Sequence, residues 1–232
     1  YASAIVASAA AWLWLAGAAV STPHLHQPDW RTFLYAVAMW QAMVIAMMTP
    51  TVVPWISVFA RLTAQAGDQG SSPRAVGGFA GGYFVVWLGY SVAGAALQMA
   101  LQGLGLLADH RVVLPLAGVV LVLAGLSQFL PLKRACLSHC RNPLTYFLAR
   151  WKNGPTGGFR LGATHGAYCL GCCWLVMLSG FGVGLMNLAW MAVLTLVLCL
   201  EQLAPGGERI GQAAGLAMAA WGLPVSDRTR VH

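Results

Sequence analysis

The sequence predicts an all-α protein, a polytopic transmembrane bundle of six or seven spans. Three observations carry that prediction. Of 232 residues, 59% are hydrophobic and only 8% charged, whereas a soluble domain carries about a quarter charged residues. Mean hydropathy is +0.69. The apolar stretches lack the two-residue alternation of a membrane β-barrel, so the spans read as helices. The whole of 1–232 reads as one transmembrane helical domain with a basic loop at 131–160.

The elements follow in order. Ala2–Val20 is an Ala-rich first span with Trp12 and Trp14. It lacks a basic leader, so no cleavable signal peptide is expected. A polar loop holds His24, His26 and Asp29, a weak pattern for an outer metal site. Phe33 to Phe59 is a second span, expected to bend or break at Pro50 and Pro54. Ala75 to Leu107 holds a third span, and Val112–Leu130 a fourth. Leu161 to Gly182 is the fifth and Leu185–Leu200 the sixth. Gly211–Val225 is a short seventh span, or an interfacial or re-entrant segment.

Charge placement sets topology. The net charge is +7, yet no acidic residue falls between Asp109 and Glu201. Lys133, Arg134, Arg141, Arg150, Lys152 and Arg160 crowd one connection between spans. Such a block marks a cytoplasmic loop touching anionic headgroups, and nucleic-acid binding is not expected. Tyr146, Phe147 and Trp151 suggest that part of it lies as an interfacial helix. Arg61 and Arg74 share its side, and His24, His26 and His110 face outward. A multi-pass protein of a bacterial inner membrane is expected. No Asp, Glu, Lys or Arg interrupts a predicted span, which argues against a proton pump.

The chemistry concentrates in Gly162–Met177, G-A-T-H-G-A-Y-C-L-G-C-C-W-L-V-M. On a helix, His165, Cys169, Cys173 and Met177 fall four residues apart and share a face, with Cys172 beside them. The preceding span exits at C-L-S-H-C-R, giving Cys136, His139 and Cys140. Two Cys/His clusters flanking one loop can meet at the same membrane depth. Soft sulfur donors favour copper(I), while four cysteines, or three cysteines and a histidine, also suit zinc. Met39, Met43 and Met47 recur every four residues in the second span. Such a stripe is often packing, and here Met43 and Met47 are also candidate thioether ligands with Met177. Glu201, at the end of the sixth span, is a candidate carboxylate ligand or an interface residue. Asn187 reads as an interhelical hydrogen-bonding residue. The glycines Gly77, Gly78, Gly81 and Gly82, and Gly158, Gly162 and Gly166, favour close helix contact.

At these residues the chain resembles a bacterial family of uncharacterised, predicted metal-binding integral membrane proteins. The matching stretches are M-V-I-A-M-M-T-P (43–50), C-L-S-H-C-R-N-P (136–143), G-A-Y-C-L-G-C-C-W (166–174) and M-N-L-A-W-M (186–191), with Glu201 after them. The resemblance implies metal binding over most of 33–203. Gln202 departs from it, standing where a Lys is expected after the glutamate.

Three functions compete. The first is copper(I) storage, passage or delivery, with other membrane subunits or a metal chaperone as partners. The second is an accessory subunit of a membrane complex, its helices stapled by a metal. The third is a thiol–disulfide oxidoreductase using Cys169-Leu170-Gly171-Cys172. No serine triad or carboxylate pair is present, so the non-enzymatic readings lead.

Overall fold

A computed structural model describes residues 2–20, 29–65, 73–108 and 111–227. The order is α1 (Ala2–Val20), α2 (Trp30–Gln65), α3 (Pro73–Gly103), β1 (Leu107–Ala108), β2 (Arg111–Val112), α4 (Leu114–Ser127), α5 (Pro131–Cys140), α6 (Pro143–Arg150), α7 (Gly154–Leu178), α8 (Gly180–Val183), α9 (Leu188–Leu203) and α10 (Gly207–Asp227). The two strands form only a two-residue antiparallel pairing. The His24 and His26 site expected from sequence lies outside the described residues.

The chain is all-α, but the count of spans is corrected downward. Among the described residues, three helices are long and apolar enough to cross a membrane: α2, α3 and the run Gly154–Val183. The α4–α5 pair, bent by 62°, makes a fourth if taken as one broken span. The reason is length. The apolar helix Leu188–Leu203 has 16 residues, about 24 Å at ~1.5 Å per residue, against a ~30 Å hydrocarbon core. The proposed seventh span lies in α10, which opens on Glu208 and Arg209.

The expected break in α2 is absent, for the helix runs through Pro50 and Pro54. Pro50 has no N–H to give the Ala46 carbonyl. Ser8 of α1 supplies the missing donor, its Oγ lying 3.2 Å from the Ala46 oxygen. The basic connection is also more ordered than a loop, since α5 and α6 occupy most of it. Helices α4 to α7 each carry a proline in the first two positions, where its fixed φ favours helix initiation. Pro131 also sets the bend, because Leu130 before it is held extended (φ −66°, ψ 137°).

The most extensive helix contact is α3 on α7. The glycine stripes explain it. A Cβ on Gly82 would lie 2.8 Å from the Ala163 amide nitrogen, and one on Gly162 would lie 2.7 Å from the Phe79 carbonyl carbon. Only glycine allows the two backbones this close. The α4–α10 contact uses the same device, since a Cβ on Gly125 would lie 2.8 Å from the Ala219 nitrogen. Asn187 is a correction of role: its Oδ1 accepts from the Trp190 N–H at 3.0 Å and caps α9.

Candidate metal centre

Helix α7 sets three thiols against one another. The sulfurs of Cys169, Cys172 and Cys173 all lie within 4.8 Å of one another, and all three residues are buried. The Cys172 and Cys173 thiols donate to the Cys169 carbonyl at 3.0 and 2.9 Å. Those bonds to the preceding turn hold the side chains along the helix. Close packing of the glycine stripes brings α3 within reach of the same point. The Tyr83 hydroxyl lies 3.2 Å from the Cys169 sulfur. The Gln202 amide of α9 points at that sulfur from 3.9 Å.

Helix α5 delivers the other cluster. Cys140 is buried beside the thiols of Cys169 and Cys172. Its carbonyl accepts from the Trp55 indole at 3.1 Å, which ties α5 to α2. Cys136 stands one turn earlier, within electrostatic reach of Cys172. Gly171 makes room for it: a Cβ there would lie 2.8 Å from the Cys136 sulfur. The two cysteine clusters of the sequence therefore converge.

The charges of α5 divide by face. Lys133 is buried, and its ammonium contacts both Glu201 oxygens, at 2.8 and 2.9 Å. It also donates to the Gln128 side chain at the end of α4. Glu201 is therefore held by an ion pair and offers its oxygens to Lys133. The cation expected at position 202 comes instead from position 133. Gly211 of α10 permits this, since a Cβ there would sit 2.7 Å from the Glu201 carboxyl carbon. Arg141 adds a second clamp, donating to the Ala204 carbonyl at 2.7 Å. Both clamps join α5 to the end of α9 and so fix the Cys140 side of the cluster. On α6, burial pushes the Tyr146 phenol up to about 12. It stays protonated and donates to the Leu161 carbonyl of α7 at 2.8 Å.

The histidines part company. His165 is buried, stacked on Trp55 with centroids 3.7 Å apart and flanked by Tyr83 at 5.5 Å. Its Nδ1 has no hydrogen-bond partner among the described residues. It lies one turn before Cys169 and outside the 4.8 Å group of sulfurs. His139 is exposed, stacked on Tyr168 at 4.3 Å, with Nδ1 2.8 Å from the Ala135 carbonyl. It belongs to the outer face of α5, away from the side that carries Cys136 and Cys140.

Met39, Met43, Met47 and Met177 are all buried. Trp40 packs on Phe181 at 5.4 Å and Trp55 on His165, so α2 runs antiparallel to the α7–α8 run. Counting between those two contacts puts Met47 level with Cys173 and Met43 level with Met177.

Tyr83, Gln202 and Lys133 were not marked as site residues by the sequence. A signal for Lys133 was present: Lys133, Cys136, Leu137 and Cys140 follow helical spacing and share the buried face of α5.

With this geometry in place, a comparison with known families decides the assignment. Residues 37–225 match the copper chaperone family PpoB2, about four-fifths of the chain. The chain belongs to that family. The donor set agrees with the family's metal, because clustered buried thiols suit a soft ion. No curated protein and no solved structure matches the chain.

Proposed function

We propose that this chain carries copper(I) as cargo within a membrane, on thiolates of Cys140, Cys169, Cys172 and Cys173, and delivers it to a partner protein. One observation carries the reading: three buried thiols of α7 lie within 4.8 Å of one another, and Cys140 of α5 stands beside two of them, Cys169 and Cys172. Copper(I) is held by two or three thiolates at a time, so the four thiols offer it alternative ligand sets, whereas hard cations need oxygen-rich cages. Each thiol that binds releases its proton, so loading couples to pH. Met47, Met43 and Met177 supply weaker thioether stations level with and beyond the thiols, and weak serial sites favour movement over trapping. The bundle sits in a bacterial inner membrane with the basic 131–160 face in the cytoplasm.

The test is anaerobic titration of the purified protein in detergent with copper(I), read by competition against a coloured chelator. Wild type takes up copper, and a Cys169→Ser, Cys172→Ser double variant does not. Wild type that leaves all copper with a weak chelator overturns the reading. Zinc loading in preference to copper(I) would make the cluster a structural staple instead.

A further inference from the structure

The five clustered thiols are not equivalent. Relative exposure falls from 9% at Cys136 through 5% at Cys172 and 2% at Cys140 to 1% at Cys173 and 0% at Cys169. Contacts follow the same order. Cys136 is in reach of Cys172 among the other thiols. Cys140 and Cys173 each lie beside both Cys172 and Cys169. Cys172 is therefore the link between the outermost thiol and the inner set. The approach of Cys136 depends on Gly171, where any side chain would meet its sulfur at 2.8 Å. Cys136 also sits on the helix whose outer face carries exposed Arg134 and His139, the polar side of the bundle.

We infer that Cys136 is the transfer thiol of this site: it takes copper(I) from a thiolate donor and hands it to Cys172, while the inner thiols hold it. This rests on the copper reading above and adds a direction to it. The exchange is redox-neutral. The Cys136 thiol releases its proton to solvent as its sulfur bonds copper, and a donor sulfur leaves. Cys172 then gives up its own proton and bonds the ion. Cys136 releases the metal and takes a proton back. Gly171 is a positioning residue, because it sets the distance over which the first transfer occurs.

The experiment is stopped-flow transfer of copper(I) from its glutathione complex to the anaerobic protein in detergent, with copper stoichiometry measured on the same samples. Cys136→Ser is expected to bind the wild-type amount of copper but to acquire it about tenfold more slowly or worse, since access to a thiolate sets the exchange rate. Gly171→Ala is expected to show the same kinetic defect with Cys136 intact. In apo wild type, mass spectrometry should find Cys136 alkylated first by a small maleimide, a readout that needs no variant to fold. Two results overturn the inference: wild-type transfer rates in Cys136→Ser, or first alkylation at a different cysteine of the cluster. Loss of bound copper in Cys136→Ser also overturns it, by making Cys136 a holding ligand. Failure of wild type to load copper defeats the parent reading and is scored separately.

Discussion

The Tyr83 hydroxyl and the Cys169 sulfur lie 3.2 Å apart, fully buried, on two helices that glycine stripes press together. A phenol aimed at a sulfur can donate to it once that sulfur is a thiolate. Hydrogen bonds to charged groups contribute about 1.5–3 kcal/mol. Tyr83→Phe keeps the ring and removes the donor. It should weaken copper(I) binding about tenfold to a hundredfold by that measure, while leaving the melting temperature nearly unchanged. Chelator competition and thermal unfolding, run together, check both halves.

The buried pair Lys133–Glu201 makes a sharper claim about stability. Lys133→Met leaves a carboxylate in apolar surroundings without its cation. Breaking a buried pair from one side costs about 3–5 kcal/mol, and replacing both partners with apolar groups is often neutral. The single variant should unfold at much lower temperature in detergent, and Lys133→Met with Glu201→Leu should recover most of the loss. A double variant no better than the single would mean that Glu201 has some other obligatory partner, a metal included.

What the sequence reveals here depends on range. The thiols of α7 are legible because four-residue spacing on one helix fixes a shared face regardless of the rest of the fold. The glycine stripes are legible for the same reason: Gly158 and Gly162 announce a close neighbour, though not that it is α3. Lys133 was hidden because a basic run reads as solvated charge, and only its register with Cys136 and Cys140 betrays that it turns inward. Tyr83 carries no local mark, and Gln202 stands out only as a departure from the expected Lys. Their approach to Cys169 comes from helix pairings that hydropathy does not encode. The span count failed because apolar composition was taken as membrane crossing, while α9 is apolar on its exposed face as well as its buried one yet too short to span.

His165 separates a ligand from a packing residue. Its ring is held flat on Trp55 and its nitrogens stand outside the sulfur group. His165→Phe keeps an aromatic ring in the stack and removes both nitrogens. Copper stoichiometry should be unchanged, and X-ray absorption of both proteins should show a sulfur-only first shell. A nitrogen in the wild-type shell that vanishes in the variant would promote His165 to a ligand.

The protons on the cluster give the last prediction. Cys172 and Cys173 donate S–H bonds to the Cys169 carbonyl, so both carry protons before loading. Cys169 is placed differently, with a phenol and an amide directed at its sulfur. If copper(I) is held by Cys172, Cys173 and Cys169, at least two protons must leave as it binds. Linkage then makes the logarithm of the binding constant rise by about two for each pH unit gained. The sign is fixed: acid weakens binding, because protons compete for the same sulfurs. Chelator competition over the mildly acidic to mildly alkaline range measures the slope. Cys172→Ser removes one of the departing protons and should lower the slope by about one, whether or not its affinity also falls. A slope near zero in wild type would mean that the cluster is ionised before the metal arrives, and the hydrogen bonds to the Cys169 carbonyl could not then exist as donations from thiols.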